Sequence, residues 1–345
     1  MALPRSKYVQ EGQEGVYHCF SRCVRRAFLY GFDPLTGRDF SHRKVWIASR
    51  LRYLASIFAV EVCAYAVMMN HYHTILRLRP DFVASWSDWE VASRWLTLFP
   101  PRRRSKTQPS PPLDFEIRAL ALCPDRIATL RRRLCNLSWF MGRLNEFIAR
   151  AANKEDDVKG RFWESRFKCQ SLLDDAAVAA CMVYVDLNPI RAGLAATPED
   201  SDFTSIQERI QAWLQQTTTP DSSPADADPT AHSPSWLCPI ASDSQRRGIL
   251  PMTSAQYFDL VDQSGRLSRS DKPGAIAADL APILMRIGAN PDAWMETISR
   301  FGTSFRLAVG LLSNLRHFAD QLGRRWLKGV TAARIAFASS PPQWA

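Results

Sequence analysis

Two histidines separated by one residue, His71-Tyr72-His73, are the first residues in the chain whose types and spacing suggest chemistry. On a β-strand, residues two apart project from the same face, so both imidazoles converge while Tyr72 points away. A pair of neutral imidazoles can clamp a divalent metal and leave positions open for a phosphate oxygen or water. The same spacing also suits two half-buried histidines making ordinary hydrogen bonds. A second pair lies in the run CMVYVDLNPIRAGL (residues 181–194), where Tyr184 and Asn188 are four apart and share a helix face. A tyrosine hydroxyl can attack phosphorus and form a covalent intermediate. With a free pKa of about 10, it needs its target polarised near neutral pH, and a metal on the scissile phosphate would do that. Asn188 could add its amide oxygen to the metal shell. Taken alone, Tyr184 and Asn188 equally suit a core tyrosine and a helix-ending Asn-Pro.

The elements needed to position these groups can be read coarsely. Residues 16–22 alternate and are strand-forming. Residues 43–58 carry Trp46, Leu51, Leu54 and Phe58 at helical spacing. Two apolar, partly β-branched runs, 61–68 and 71–78, flank Met69-Asn70 as a hairpin. Helices are expected over 86–99 and 127–152, a short strand over 167–172, and a helix over 174–187, capped by Asp174 or Asp175 and closed by Pro189. The order strand, helix, strand, strand, helices, strand, helix is that of a split βαβ, or ferredoxin-like, α+β domain with added helices.

The 345 residues exceed one ordinary domain, and 46% hydrophobic with 23% charged residues describes a chain with a real core. No apolar run is long enough to span a bilayer; the best candidate, residues 56–69, is short and contains Glu61. The polar residues 1–15 lack a signal-peptide block. The eight cysteines form no CxxC pair, and several sit in apolar runs, which fits a reducing cytoplasm. A net charge of +10 favours an anionic partner. Residues 215–235 are rich in Thr, Ser, Pro, Asp and Ala, carry no aromatic residue, and read as a linker between domains at 1–214 and 236–345.

Residues 100–112 (PPRRRSKTQPSPP) read as an exposed loop or a phosphate-tracking arm. Arg131, Arg132 and Arg133 in the long helix, Arg161, Arg166 and Lys168 ahead of the tyrosine helix, and Arg191 after it are candidate phosphate contacts. Phe162 and Trp163 are candidates for stacking on unpaired bases. Each of these also has an ordinary place, the cations on a solvated face and the rings in a core. His18 lies on the first strand and can face the site, depending on register. His42, His232 and His317 show no such context, and Asp186 falls on a different helix face from Tyr184.

Together, HYH after an apolar strand and Y-x-x-x-N-P-x-R-A-G-L on a later helix resemble the single-tyrosine HUH transposases, within them the REP-associated tyrosine transposase family. The segment GRFWESRFKC (residues 160–169) and Tyr17-His18 with Arg22 are similar to that family's segments too. The resemblance covers roughly residues 8–197. It implies a ferredoxin-like HUH fold, single-stranded and hairpin-bearing DNA as partner, and a transesterification dependent on Mg²⁺ or Mn²⁺. It makes His71 and His73 the metal ligands, Asn188 a third ligand, and Tyr184 the nucleophile, leaving a 5′-phosphotyrosine and a free 3′-OH. By ligand softness alone, imidazoles suit Mn²⁺ or Zn²⁺ equally well. Met69 stands where the family commonly has proline, and residues 23–26 (CVRR) depart from its Gly-Asn-Arg pattern.

Residues 236–345 lie outside the resemblance. Apolar spacing predicts helices over 255–263, 275–287, 292–301 and 313–327, an all-α unit that could set a helix in a DNA groove or bind a protein. Three functions follow as expectations: a tyrosine transposase or strand transferase, a domesticated DNA-binding regulator without cleavage, and a metal-dependent nuclease using water.

Overall fold

The computed structural model describes residues 4–24, 28–101, 111–217, 236–243, 245–269 and 281–337. Most of the basic loop at 100–112, most of the linker, and part of the segment at 23–26 lie outside these residues. After a 3₁₀ turn at Arg5–Lys7, the chain forms β1 (Gly15–Arg22), β2 (Phe32–Asp33), β3 (Arg38–Asp39), α1 (Arg43–Ile57), β4 (Val60–Val67) and β5 (His71–Leu78). Helices α2 (Pro80–Ser85), α3 (Asp88–Leu98), α4 (Asp114–Ala121), α5 (Pro124–Leu134) and α6 (Leu137–Glu155) lead to β6 (Lys168–Leu172). There follow α7 (Asp175–Asp186), α8 (Asn188–Arg191), α9 (Ser205–Thr217), α10 (Ser254–Arg269) and α11 (Ala281–Arg286). The last elements are α12 (Trp294–Ser304), β7 (Ala308–Val309), α13 (Leu312–Gln321) and α14 (Val330–Ala336).

The fold is α+β, built on one five-stranded sheet in the order β4-β5-β1-β6-β7. β1 sits between β5 and β6 and is antiparallel to both, with Phe20 opposite His73 and His18 opposite Gln170. Strand alternation then decides which residues meet which helices. Tyr72 points to α6, where its hydroxyl donates to Asn145 Oδ1 at 2.8 Å. His73 points the other way, to Tyr184 of α7. Helices α1 and α6 pack together on the Tyr72 face, and α7 covers the histidine face. Because α7 lies between the sheet and α12, it is apolar nearly all round, with Ala176 to Val183 buried without a break. Asp174 caps it, accepting from Ala177 N at 3.0 Å.

Three expectations need correction. The single helix over 127–152 is broken at Cys135-Asn136, because the Asn136 side chain accepts from the backbone N–H groups of Ser138 and Trp139 and starts α6 afresh. The C-terminal residues are not wholly helical: β7 pairs parallel with β6, Ser171 opposite Ala308. A two-residue strand is too short to show alternation, so the sequence pattern passes over it. α13 is also shorter than 313–327, stopping at Gln321 before Gly323 at φ 63°.

The described C-terminal elements pack on the sheet and on α7, β7 against β6 and α10 and α12 against α7. Cys238 N donates to Val62 O at 2.8 Å, which covers the edge of β4. Arg77, fully buried on β5, donates to Glu61 Oε2 at 2.8 Å and to the carbonyls of Gly248 and Arg247 at 2.8 and 2.6 Å. Arg79 donates to the same carboxylate oxygen at 2.9 Å. Tyr257 of α10 donates to Asp186 Oδ2 at 2.6 Å, and Ser205 donates to Asp186 Oδ1 at 2.6 Å. Asp186 thus faces away from Tyr184, as the helix spacing predicts. Among the described residues no helix is long and apolar enough to cross a membrane.

Candidate active site

β1, β5, β6 and α7 enclose a cleft of about 270 Å³, lined by His18, His71, His73, Gln170, Tyr184 and Gly302 among others. The strand registers place all the polar groups on one face, since His18, His73 and Gln170 alternate in phase. His71 and His73 sit with ring centroids 5.0 Å apart and planes at 82°. Tyr184 presents its ring edge-on to His73 at 5.7 Å and to His18 at 6.2 Å, and stacks on Phe301 of α12 at 5.2 Å.

The hydrogen bonds fix the tautomers. Gln170 Nε2 donates to the Phe305 carbonyl at 3.0 Å, which turns Gln170 Oε1 toward His18. His18 Nδ1 lies 2.9 Å from that oxygen and must donate to it. His18 Nε2 is then the acceptor for His73 Nδ1 at 2.9 Å, so the lone pair of His73 sits on Nε2. His71 Nδ1 donates to Asn70 Oδ1 at 2.8 Å, which leaves its Nε2 free in the same way. Burial pushes the imidazoles of His18 and His71 down to about 4, and Gln170 and Arg22 act as lesser influences on them. Burial, with His18, His71 and Arg22 nearby, holds His73 well below the ordinary histidine range. All three rings are therefore neutral at pH 7.

Burial raises the Tyr184 hydroxyl above its usual pKa, opposed by Asn188 and Arg191, so at rest it is a protonated phenol. Gly302 leaves the space that this hydroxyl needs: a Cβ there would stand 2.8 Å from Tyr184 Oη.

Two neutral imidazoles with committed Nδ1 atoms form a donor set that fits a divalent ion at their Nε2 atoms. Glu164 lines the same cleft. Among the described residues, no group of three or more His, Cys, Asp or Glu is disposed to hold a metal. Asn188 does not line the cleft; its amide donates to the Tyr184 carbonyl at 2.9 Å, as a helix-end residue does.

The other sequence candidates divide. Arg166 and Lys168 line the cleft, and Arg161 is exposed nearby in sequence. Trp163 is committed to packing, its Nε1 donating to Asn145 O at 2.9 Å and its ring edge-on to Tyr72 and Phe162, and Phe162 is buried. Arg191 donates to the carbonyls of Ile298 and Ser299 at 2.9 and 2.6 Å and fastens α12 over the site. Arg131, Arg132 and Arg133 lie on α5, outside the cleft; Arg131 is held by the Val83 carbonyl and Asp88, and Arg133 lies over Trp139. His18 and Gln170 become central. For His18 the signal was its place on a strand. Gln170 gave none beyond strand parity with Lys168.

No family model matches the chain, and no curated protein matches it. One solved structure, of a REP-associated tyrosine transposase bound to a REP hairpin, is similar over 70% of this chain and 100% of that one, at 14% identity and a TM-score of 0.32. A likeness that distant leaves function to the geometry of the cleft.

Proposed function

We propose that the protein is a metal-dependent single-tyrosine strand transferase of the HUH type, acting on single-stranded, hairpin-bearing DNA. The supporting observation is the meeting of Tyr184 with His71 and His73 in one cleft, with the lone pairs of both imidazoles left free by their other hydrogen bonds. The strand order β4-β5-β1-β6 is that of a ferredoxin-like sheet and supports the same reading.

A divalent metal, Mg²⁺ or Mn²⁺, held by His71 and His73 would polarise a phosphoryl oxygen and stabilise charge on the leaving oxygen. The chain's own residues do the rest. Tyr184 Oη attacks phosphorus; the Oη–P bond forms, the P–O3′ bond breaks, the phenol loses its proton and the 3′-oxygen gains one. Because no water is consumed, a 3′-OH can reverse the step and rejoin strands. Phe301 stacking and the Gly302 opening hold the phenol at the cleft, and fixed position is a large part of such a rate gain. Arg166 and Lys168 supply positive charge beside the reacting phosphate.

The test is formation of a covalent protein–DNA adduct on single-stranded oligonucleotides that depends on metal and on Tyr184. Hydrolysis without an adduct, unaffected by Tyr184→Phe, would make the protein a water-using nuclease. Binding without either product, under conditions that load the metal, would make it a non-cleaving DNA-binding protein.

A further inference from the structure

A second, larger cleft of about 790 Å³ continues from the first and shares with it Phe20, Arg166, Lys168 and Gly302. Its far wall is made by the C-terminal residues. β7 extends the sheet past β6, with Ser171 N donating to Leu307 O at 2.9 Å, and so sets Arg306 beside the β6 end of the cleft. The turn between α13 and α14, Gly323-Arg324-Arg325-Trp326-Leu327-Lys328-Gly329, closes the rim. Leu327 is buried and pins this turn to the core. Gly329, at φ 120°, lets it pass so close to Phe305 that a Cβ would stand 2.6 Å from the ring. The anchored turn holds the Trp326 indole outward, 64% exposed.

Charge selects the ligand. Arg5, Arg166, Lys168, Arg306, Arg324 and Lys328 line this cleft, and among the described residues no Asp or Glu does. Arg5 is engaged with the Phe167 carbonyl at 2.6 Å. The other five are exposed, and among the described residues none of them pairs with a carboxylate. A row of unpaired cations leading into the cleft of Tyr184, with an outward aromatic ring at its far end, fits a polyanion that also carries flat rings.

We propose that this groove is a track for single-stranded nucleic acid. Its phosphodiester backbone runs along Arg166, Lys168, Arg306, Arg324 and Lys328, and an unpaired base stacks on Trp326. The proposal rests on the strand-transferase reading for which end of the track is reactive. It gives residues 306–328 a function as the substrate-holding wall of the site, made by a turn rather than by a helix set in a duplex groove.

The experiment measures binding of the full chain to a fluorescein-labelled oligothymidylate of about 20 nucleotides, long enough for a single-strand groove. Anisotropy is read between about 50 and 200 mM salt. Arg324→Glu with Lys328→Glu is expected to weaken binding at least about tenfold and to lower the salt slope by about 1.4, two phosphates' share for a single strand. Trp326→Ala is expected to weaken it about tenfold while leaving the slope unchanged. The control is Arg118→Glu with Arg126→Glu, the same charge change on exposed residues of α4 and α5, and it should stay near wild type. Thermal melts confirm that each variant is folded. No binding by wild type, equal losses in track and control variants, or tighter binding of the matching duplex would overturn the proposal. Adduct formation by wild type, read beside its affinity, separates the two readings. Tight, track-dependent binding by a wild type that forms no adduct sinks the chemistry and keeps the track. An adduct formed with affinity indifferent to the track variants does the reverse.

Discussion

His18 Nε2 lies 2.9 Å from His73 Nδ1, and this contact decides which nitrogen of His73 keeps its lone pair. His73 Nδ1 donates to His18, His18 Nδ1 to Gln170 Oε1, and Gln170 Nε2 to the Phe305 carbonyl, which leaves the lone pair of His73 on Nε2 in the cleft. Gln170→Ala should therefore weaken Mn²⁺ binding by about 10- to 100-fold, the usual cost of removing a residue that orients a metal-bound imidazole. Calorimetric titration of the purified chain with Mn²⁺ measures it. Unchanged affinity would show that His73 holds its tautomer without Gln170.

Gly302 and Tyr184 lead to a prediction with opposite signs for stability and activity. Alanine is about 1 kcal/mol better than glycine inside a helix, so Gly302→Ala should leave the melting temperature equal or higher. Its methyl group would still stand 2.8 Å from Tyr184 Oη and push the hydroxyl aside. Adduct formation should fall about 100-fold, the scale of an ångström-sized misplacement. Activity unchanged in a folded variant would show that the phenol works from another position.

Glu61 is the common partner of Arg77 and Arg79 beneath the C-terminal residues. Glu61→Ala leaves two buried guanidinium groups without that carboxylate and should cost about 3–5 kcal/mol, read from urea unfolding. A loss below about 1 kcal/mol would mean that the carbonyls of Arg247 and Gly248 alone satisfy Arg77.

Asp174 joins two parts of the fold, accepting from Ala177 N at the start of α7 and from Leu311 N and Asn314 Nδ2 near α13. Asp174→Ala removes both the cap and the link, and a loss of about 2 kcal/mol is expected in the same unfolding experiment. A loss of only a few tenths would show that water replaces the carboxylate.

Much of this site could be read from the sequence, because strand parity and helix spacing are local. His71 and His73 share a face as their spacing requires, and Tyr184 reaches the same cleft from a helix predicted within a residue of its bounds. What escaped depends on distant neighbours. Gln170 has meaning only once β6 is paired with β1 and the Phe305 carbonyl is beside it. Arg191 and Trp163 looked like nucleic-acid contacts because their type is common there, yet their partners are carbonyls of this chain. The groove residues Arg324, Trp326, Leu327 and Lys328 were hidden because apolar spacing carries a helix to residue 327, whereas Gly323 stops it early.

The central claim is that Tyr184 is the nucleophile. Wild type and Tyr184→Phe would be incubated with single-stranded oligonucleotides from both flanks of the protein's own gene, in Mn²⁺, Mg²⁺ or EDTA, and resolved on a denaturing protein gel. Wild type with metal is expected to give a shifted covalent band, absent with EDTA and absent in Tyr184→Phe. Metal-dependent cleavage that persists in Tyr184→Phe, with no covalent band in either protein, would contradict the claim.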